Sequence, residues 1–333
     1  MPTDPDFIAI GDVVSDCFIR LKEGEAKVTC DHGDENCTIS MHWGDKIPFE
    51  SATDVHGVGN GPNASVSAAR LGLSSELLVW LGNDENGRQC LDALKENRVD
   101  THMIKPINEI ATNQHYVLWY GSERTILIKH NAFPYHIPED FSVPRYLYLT
   151  SLGEAAEPLY EDLRAWLPAH PEVQFIFQPG TFQIRLGTEK LSHLYASAAL
   201  VICNKEESQE ILKSTSDDIK ELLSGLRALG SKTSIITDGL NGACADDGEN
   251  VWFVPLYPNS PPPFERTGAG DAFASTVAAA LSLGEPLEKA LLWGPVNSMA
   301  VVEKIGAQTG LLSRPEIESY LEKAGPEYAL KKL

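Results

Sequence analysis

The chain is poor in cysteine, poor in positive charge and free of long apolar runs. Six Cys in 333 residues are too few for a disulfide framework. No stretch approaches the roughly 18 consecutive apolar residues that a membrane span needs. The opening MPTDPDFIAIGD lacks a basic segment followed by an apolar one, so no secretory signal is expected and a reducing cytoplasm is the expected location. Lys and Arg number 27 against 47 Asp and Glu, a formal net charge of −20. Such a field argues against general binding of nucleic acid or anionic membranes, so any anionic ligand needs a local site. With 43% hydrophobic and 22% charged residues the chain is an ordinary globular one, long enough to bury a large core.

Strand-like and helix-like segments alternate. Phe7–Gly11, Leu77–Leu81, Tyr146–Leu149, Val173–Phe177, Leu200–Cys203 and Ser234–Thr237 read as strands of a parallel sheet covered on both faces. Helices are expected over Asn63–Leu71, Gly87–Glu96, Pro158–Trp166, Lys205–Leu212, Ile219–Leu229, Gly270–Leu283, Pro286–Lys304 and Pro315–Lys323. The alternation predicts an α/β fold with a doubly wound, mostly parallel sheet flanked by helices. Glu25–Phe49 carries β-prone pieces without helical period, and Gln114–Tyr120 with Thr125–His130 reads as a hairpin. These pieces predict a small β-sheet lid formed by about 17–56 and 112–131, within a single domain of residues 1–333.

The most informative segment is Phe264-Glu265-Arg266-Thr267-Gly268-Ala269-Gly270-Asp271, which runs into the small-residue helix AFASTVAAALSLG. The glycines allow a tight turn, and the free N–H groups of the first helical turn make an anion site. Asp271 there either complements the helix dipole or serves as a base beside a phosphate cradle. A second glycine turn, Gly59-Asn60-Gly61-Pro62-Asn63, opens another small-residue helix that ends in Arg70-Leu71-Gly72. Pro62 stands where a dinucleotide fingerprint needs its third glycine, so a dehydrogenase reading is disfavoured.

These two segments resemble the signatures of the ribokinase-like (PfkB) sugar kinase family. Gly11–Asp16 (GDVVSD), Asn204–Glu207 (NKEE), Thr237–Gly242 (TDGLNG) and Gly306-Ala307-Gln308 follow in family order, so the resemblance spans about residues 7–318. It implies an ATP-dependent kinase that phosphorylates a hydroxyl of a sugar or sugar-like molecule with Mg²⁺. A nucleoside kinase of the same fold and a catalytically silent ligand-binding relative are the alternatives.

By that resemblance Asp271 is the catalytic base, and Gly268, Ala269 and Gly270 form the anion hole. Asp16, Gly59, Asn60 and Asn63 match substrate-binding positions, and Asn63 is equally suited to cap its helix. Val58 and Asn60 depart from the family's usual Gly and Lys, which leaves the sugar open. Asn204, Thr237, Gly239, Gly242 and Asn297 match nucleotide-binding positions. Glu207 is implied in Mg²⁺ placement, a link that can run through retained water. Glu265 and Thr267 match a monovalent-cation loop; Asp is commoner where Glu265 stands, so K⁺ dependence is left open. Relatives dimerise through the lid, which suggests a homodimer.

Cys30, His32, Cys37 and His42 lie close together, but the spacing is loose for zinc and incidental thiols in a β-rich insert are expected. Cys17, Cys90, Cys203 and Cys244 read as small core residues. His56, His102, His115, His130 and His136 show no partner spacing.

Overall fold

The computed structural model describes residues 4–30, 37–121, 123–258 and 267–333. A large mixed sheet runs in the order Ser75–Leu78, Phe7–Ile10, Tyr146–Leu149, Gln174–Phe177, Leu200–Asn204, Thr233–Thr237, then Ala243–Asp246, Val251–Val254 and Lys331–Lys332. Strands from Ser75–Leu78 to Thr233–Thr237 pair in parallel, and the last three add antiparallel. The antiparallel edge was not foreseen, because two short hairpin strands and a two-residue terminal strand carry too little pattern.

The apolar runs alternate between two cores. Phe7 and Ala9 join the cluster built with Val277, Ala278 and Trp293, whereas Ile8 and Ile10 join the cluster of Leu159, Leu194 and Leu222. Each fully buried Ile or Leu contributes about 1.5–3 kcal/mol. Helices Asn60–Arg70, Ala269–Ser282 and Leu287–Val301 lie on the first face. Gly294 of the Leu287–Val301 helix permits its close approach to the Ala269–Ser282 helix: a Cβ there would meet the Phe273 ring at 2.7 Å. Glu157–Ala169, Ser192–Ser197 and Ile219–Ala228 cover the other face.

The expected β layer is a four-stranded sheet in the order Phe49–Val58, Val14–Leu21, Asn113–Tyr120, Glu123–Leu127. It therefore begins and ends somewhat outside the first expected segment and falls short of the end of the second. Lys27–Cys30 and Cys37–Ser40 pair as a separate ribbon. No helix among the described residues is long and apolar enough to cross a membrane.

Two sequence expectations fail here. The thiols of Cys30 and Cys37 are not incidental: as cross-strand partners they form a disulfide, which removes both from any zinc site. Cys17, Cys90, Cys203 and Cys244 are free. Protein purified without reductant should therefore titrate four thiols when denatured and six after reduction; six at the outset would mean the bridge does not form. The second failure is the start of the helix placed at Asn63, which begins at Asn60 with Gly59 as N-cap. Gly59 has φ 117°, and its missing Cβ would lie 2.4 Å from the Asp12 carbonyl oxygen. Asn63 therefore sits inside the first turn and is not the cap.

Candidate active site

The carboxyl ends of the parallel strands share one edge, where ligands of open α/β sheets bind. Asp12 follows the first strand, Gly153 follows Tyr146–Leu149, Gln178 follows Gln174–Phe177, and Asn204 and Thr237 end their own strands. A cleft of about 240 Å³ opens there, lined by Asn60, Arg124, Gln178, Asn204, Glu207, Thr237 and Gly268–Asp271.

Gly268 caps the Ala269–Ser282 helix in the left-handed region, with φ 80°. A Cβ there would lie 2.4 Å from Ala307 Cβ, so the Gly306-Ala307-Gln308 segment is the wall that demands this glycine. Gly270 differs: among the described residues a Cβ there would meet nothing within 4 Å. The first-turn N–H groups thus face a space that a small anion can enter.

Asp271, in the first turn of that helix, is held by three side chains from two places in the fold, the start of the Asn60–Arg70 helix and the end of Gln174–Phe177. Asn60 Nδ2 donates to its Oδ1 at 2.8 Å, Asn63 Nδ2 to its Oδ2 at 2.9 Å, and Gln178 Nε2 to its Oδ1 at 3.4 Å. Burial raises the Asp271 carboxyl above its ordinary value, and the amides of Asn63, Gln178 and Asn60 counter that rise by favouring the charged form.

Behind these amides stands a further set of contacts. Gln308 Nε2 donates to Asn63 Oδ1 at 3.0 Å and to the Gly57 carbonyl at 2.9 Å. Arg70 donates to the carbonyls of Gln308 and Leu311 at 2.7 and 2.8 Å, which ties the Arg-Leu-Gly end of one helix to the loop that orients Asn63. Tyr148 donates its hydroxyl to Gln178 Oε1.

At the other end of the cleft Asn204 and Glu207 form a reciprocal cap. Asn204 Oδ1 accepts from the Glu207 N–H at 2.7 Å, and Glu207 Oε2 accepts from the Asn204 N–H at 2.9 Å. Burial raises the Glu207 carboxyl, the Asn204 N–H lowers it, and the charge of Asp271 raises it again.

The remaining expectations divide. Thr237 lines the cleft, while Gly239 and Gly242 lie in the turn beyond its lining. Gly242 is explained by packing, since a Cβ would meet the Val254 carbonyl oxygen at 2.5 Å. Asn297 is fully buried, donates to Thr276 Oγ1 at 2.7 Å and accepts from the Leu312 N–H at 2.9 Å. One end of its amide ties the Leu287–Val301 helix to the Ala269–Ser282 helix and the other holds the loop at Leu312. Asn63, offered as a substrate contact, is likewise buried and engaged at both ends. Thr267 is partly buried beside Gly268, and Glu265 lies outside the described residues. Asp16 stands on the smaller sheet, paired in register with His115.

A PfkB carbohydrate kinase family model matches residues 45–314. The chain belongs to that family. Its members are phosphotransferases with an alcohol group as acceptor, and this kinase shares their ATP-dependent chemistry. The chain is 27% identical to a ribokinase of Bacillus subtilis, the match covering 79% of this chain and 87% of that protein. It is 28% identical to an aminoimidazole riboside kinase of Salmonella typhimurium, over 79% and 87%. The fold matches Arabidopsis thaliana ribokinase complexed with ribose and ATP with a TM-score of 0.76 at 18% identity, covering 96% of this chain and 99% of that one.

Several site residues escaped the sequence reading. Gln178 and Arg124 line the cleft, and Asp12, His115, His130, Gln308 and Tyr148 stand behind or beside it. The five histidines read as partnerless each lie near a side chain that is distant in sequence or, for His102, two residues away: Ser15, Asp100, Asp16, Asp12 and Asp162. The one local cue was position at a strand's carboxyl end, which marks Asp12 in GDVVSD and Gln178 just after FIF.

Proposed function

We propose that this kinase transfers the γ-phosphoryl group of ATP to a hydroxyl of a sugar or sugar-like small molecule, with Asp271 as general base. The observation that carries this reading is the carboxylate of Asp271, fixed by three amides, in the same helical turn as the open amides at Gly268–Gly270. The acceptor oxygen forms a bond to the γ-phosphorus as the bond from phosphorus to the β,γ-bridging oxygen breaks. ADP leaves with that electron pair, and Asp271 takes the hydroxyl proton. The Gly268–Asp271 amides stabilise the charge that develops on the moving phosphoryl group.

Mg²⁺, when bound with ATP, offsets phosphate charge; Glu207 is the carboxylate suited to hold it, through water, because one of its oxygens is taken by Asn204. Thr237 and Asn204 border the nucleotide, and Asp16, Gly59 and Asn60 border the acceptor. Glu265 and Thr267 are the residues for a K⁺ ion. Residues 1–333 act as one kinase unit, the smaller sheet closing over the acceptor as a lid that excludes competing water. Exposed apolar side chains on that sheet, among them Phe49, Tyr116 and Leu127, support a homodimer through it. ATP as donor supports a cytoplasmic site of action.

A nucleoside acceptor is the second reading, favoured by the 28% identity to a riboside kinase. ADP release should be measured with ATP, Mg²⁺ and K⁺ against pentoses, hexoses, sugar phosphates and nucleosides. Acceptor-dependent release is expected with one class. Absence of both release and ligand-induced thermal stabilisation across the panel would overturn the kinase reading.

A further inference from the structure

The large sheet reverses its winding between Phe7–Ile10 and Tyr146–Leu149: the chain adds Ser75–Leu78 on one side of the first strand and then returns to the other. At the carboxyl ends of these two strands sits Asp12, 3% exposed. Its carboxylate accepts from His130 Nδ1 at 2.6 Å, from the Tyr135 hydroxyl at 2.9 Å and from the Gly153 N–H at 2.8 Å. Asp12 is thus buried and held by three protein donors, and what it offers a ligand is the ring it holds.

The smaller sheet brings a second acid–imidazole pair to the same place. Asp16 and His115 are register partners on parallel strands, so their side chains share a face. Alternation along Asn113–Tyr120 puts His115 and Trp119 on that face, and Trp119 pairs with Arg124, whose side chain lines the catalytic cleft. The neighbouring Ser15 points to the other face, against Cys90 of the Glu85–Glu96 helix. Asp16 and His115 therefore belong to the cleft side. The His115 and His130 rings lie 5.2 Å apart.

The pair is incomplete by itself. Asp16 Oδ1 lies 3.3 Å from His115 Nδ1 without hydrogen-bond alignment, and neither Asp16 Oδ1 nor His115 Nε2 has a hydrogen-bond partner among the described residues. Both side chains are only 14% exposed. An unpaired buried polar atom is costly, so two on neighbouring strands mark a place where a polar group completes the structure. A carboxylate oxygen can only accept, whereas a hydroxyl both donates and accepts; one hydroxyl, or two neighbouring ones, satisfies both atoms. A flat base does not suit: sliding a ring between two others needs roughly twice the ~3.5 Å van der Waals separation, more than the 5.2 Å present.

We propose that His115 is a specificity-determining residue of this kinase, reading a hydroxyl of a polyol acceptor through Nε2, with His130 and Asp12 bracing it. The proposal rests on the kinase reading above. It is tested with His115→Leu and His115→Gln, using whichever of D-ribose, D-fructose, fructose 6-phosphate and adenosine the wild type phosphorylates best. His115→Leu is expected to raise the KM of that acceptor at least tenfold, with the KM for ATP within twofold. His115→Gln, which keeps a hydrogen-bonding tip, should return the acceptor KM to within threefold of wild type. An unchanged acceptor KM, an equal rise in both KM values, or no difference between Leu and Gln would overturn it, as would adenosine proving the best acceptor. If the wild type phosphorylates none of the four, the kinase reading fails on this panel, and the proposal is judged by thermal shift with the same compounds. A stabilisation lost in His115→Leu and kept in His115→Gln supports it; a stabilisation retained in both, or seen with none, overturns it.

Discussion

Replacing Asp271 with asparagine should lower kcat by about 10²- to 10⁴-fold, the range in which a positioned base contributes, while ATP still binds. Asparagine keeps the size of the side chain but cannot take the acceptor's proton. Its carbonyl oxygen can still accept from Asn60 or Asn63, but its NH₂ then faces the other amide's NH₂, so a thermal melt belongs beside the kinetics. Unchanged turnover in a folded variant would remove Asp271 from the reaction. The pH profile supplies an independent check. The base works only when ionised, and burial raises the Asp271 carboxyl above its ordinary 3.8. As pH falls through that raised value, kcat/KM should fall, on a limb displaced toward neutrality. The Asn60 amide stabilises the charged form, so Asn60→Ala should move the limb further toward neutral pH. Because Glu207 is also raised by burial, this variant is informative: Asn60 bonds Asp271 and not Glu207, so a limb that stays put would assign the titration elsewhere.

What could be read from the sequence follows from how locally each feature is encoded. The parallel strands announce themselves as short apolar runs because both their faces are buried. The Gly268–Asp271 turn is equally local: a glycine at positive φ, an open glycine two residues later and a carboxylate in one helical turn. The same segment-by-segment reading missed Gln178 and Arg124, because a side chain at a strand end or in a hairpin acquires meaning only when the sheet brings it to the cleft. The histidines make the point most sharply. His130 meets Asp12 across 118 positions, and no spacing rule reaches that far. Asn63 and Asn297 show a further limit of such a reading, since their side chains hold other residues of the fold, which spacing does not reveal. Asn63 orients the base and is itself oriented by Gln308, so the Arg70-Leu71-Gly72 end and the Gly306–Gln308 segment act on the site without facing it. The Cys30–Cys37 bridge was passed over because composition alone cannot say which two of six thiols meet across a ribbon.

Alanine at either glycine of the anion turn should slow turnover, but the two substitutions should move stability in opposite directions. Gly268→Ala puts a methyl 2.4 Å from Ala307 Cβ and forces a side chain into the left-handed region. The conformational cost is about 1–2 kcal/mol and overpacking adds about 1–3, so this variant should lose both stability and turnover. Gly270→Ala meets no atom of the described residues within 4 Å and lies inside a helix. There alanine is favoured over glycine by roughly 0.5–1 kcal/mol, so its melting temperature should match or exceed that of the parent. Its methyl, however, stands in the space through which the phosphoryl group reaches the helix amides. Displacing that group by about 1 Å is enough to cost on the order of 10² in rate. A folded, stable and slow Gly270→Ala beside an unstable Gly268→Ala would separate the glycine the fold needs from the glycine the reaction needs. Wild-type turnover in Gly270→Ala would mean that phosphate does not approach the Gly268–Asp271 amides from the open side, and the anion-hole assignment would have to be given up.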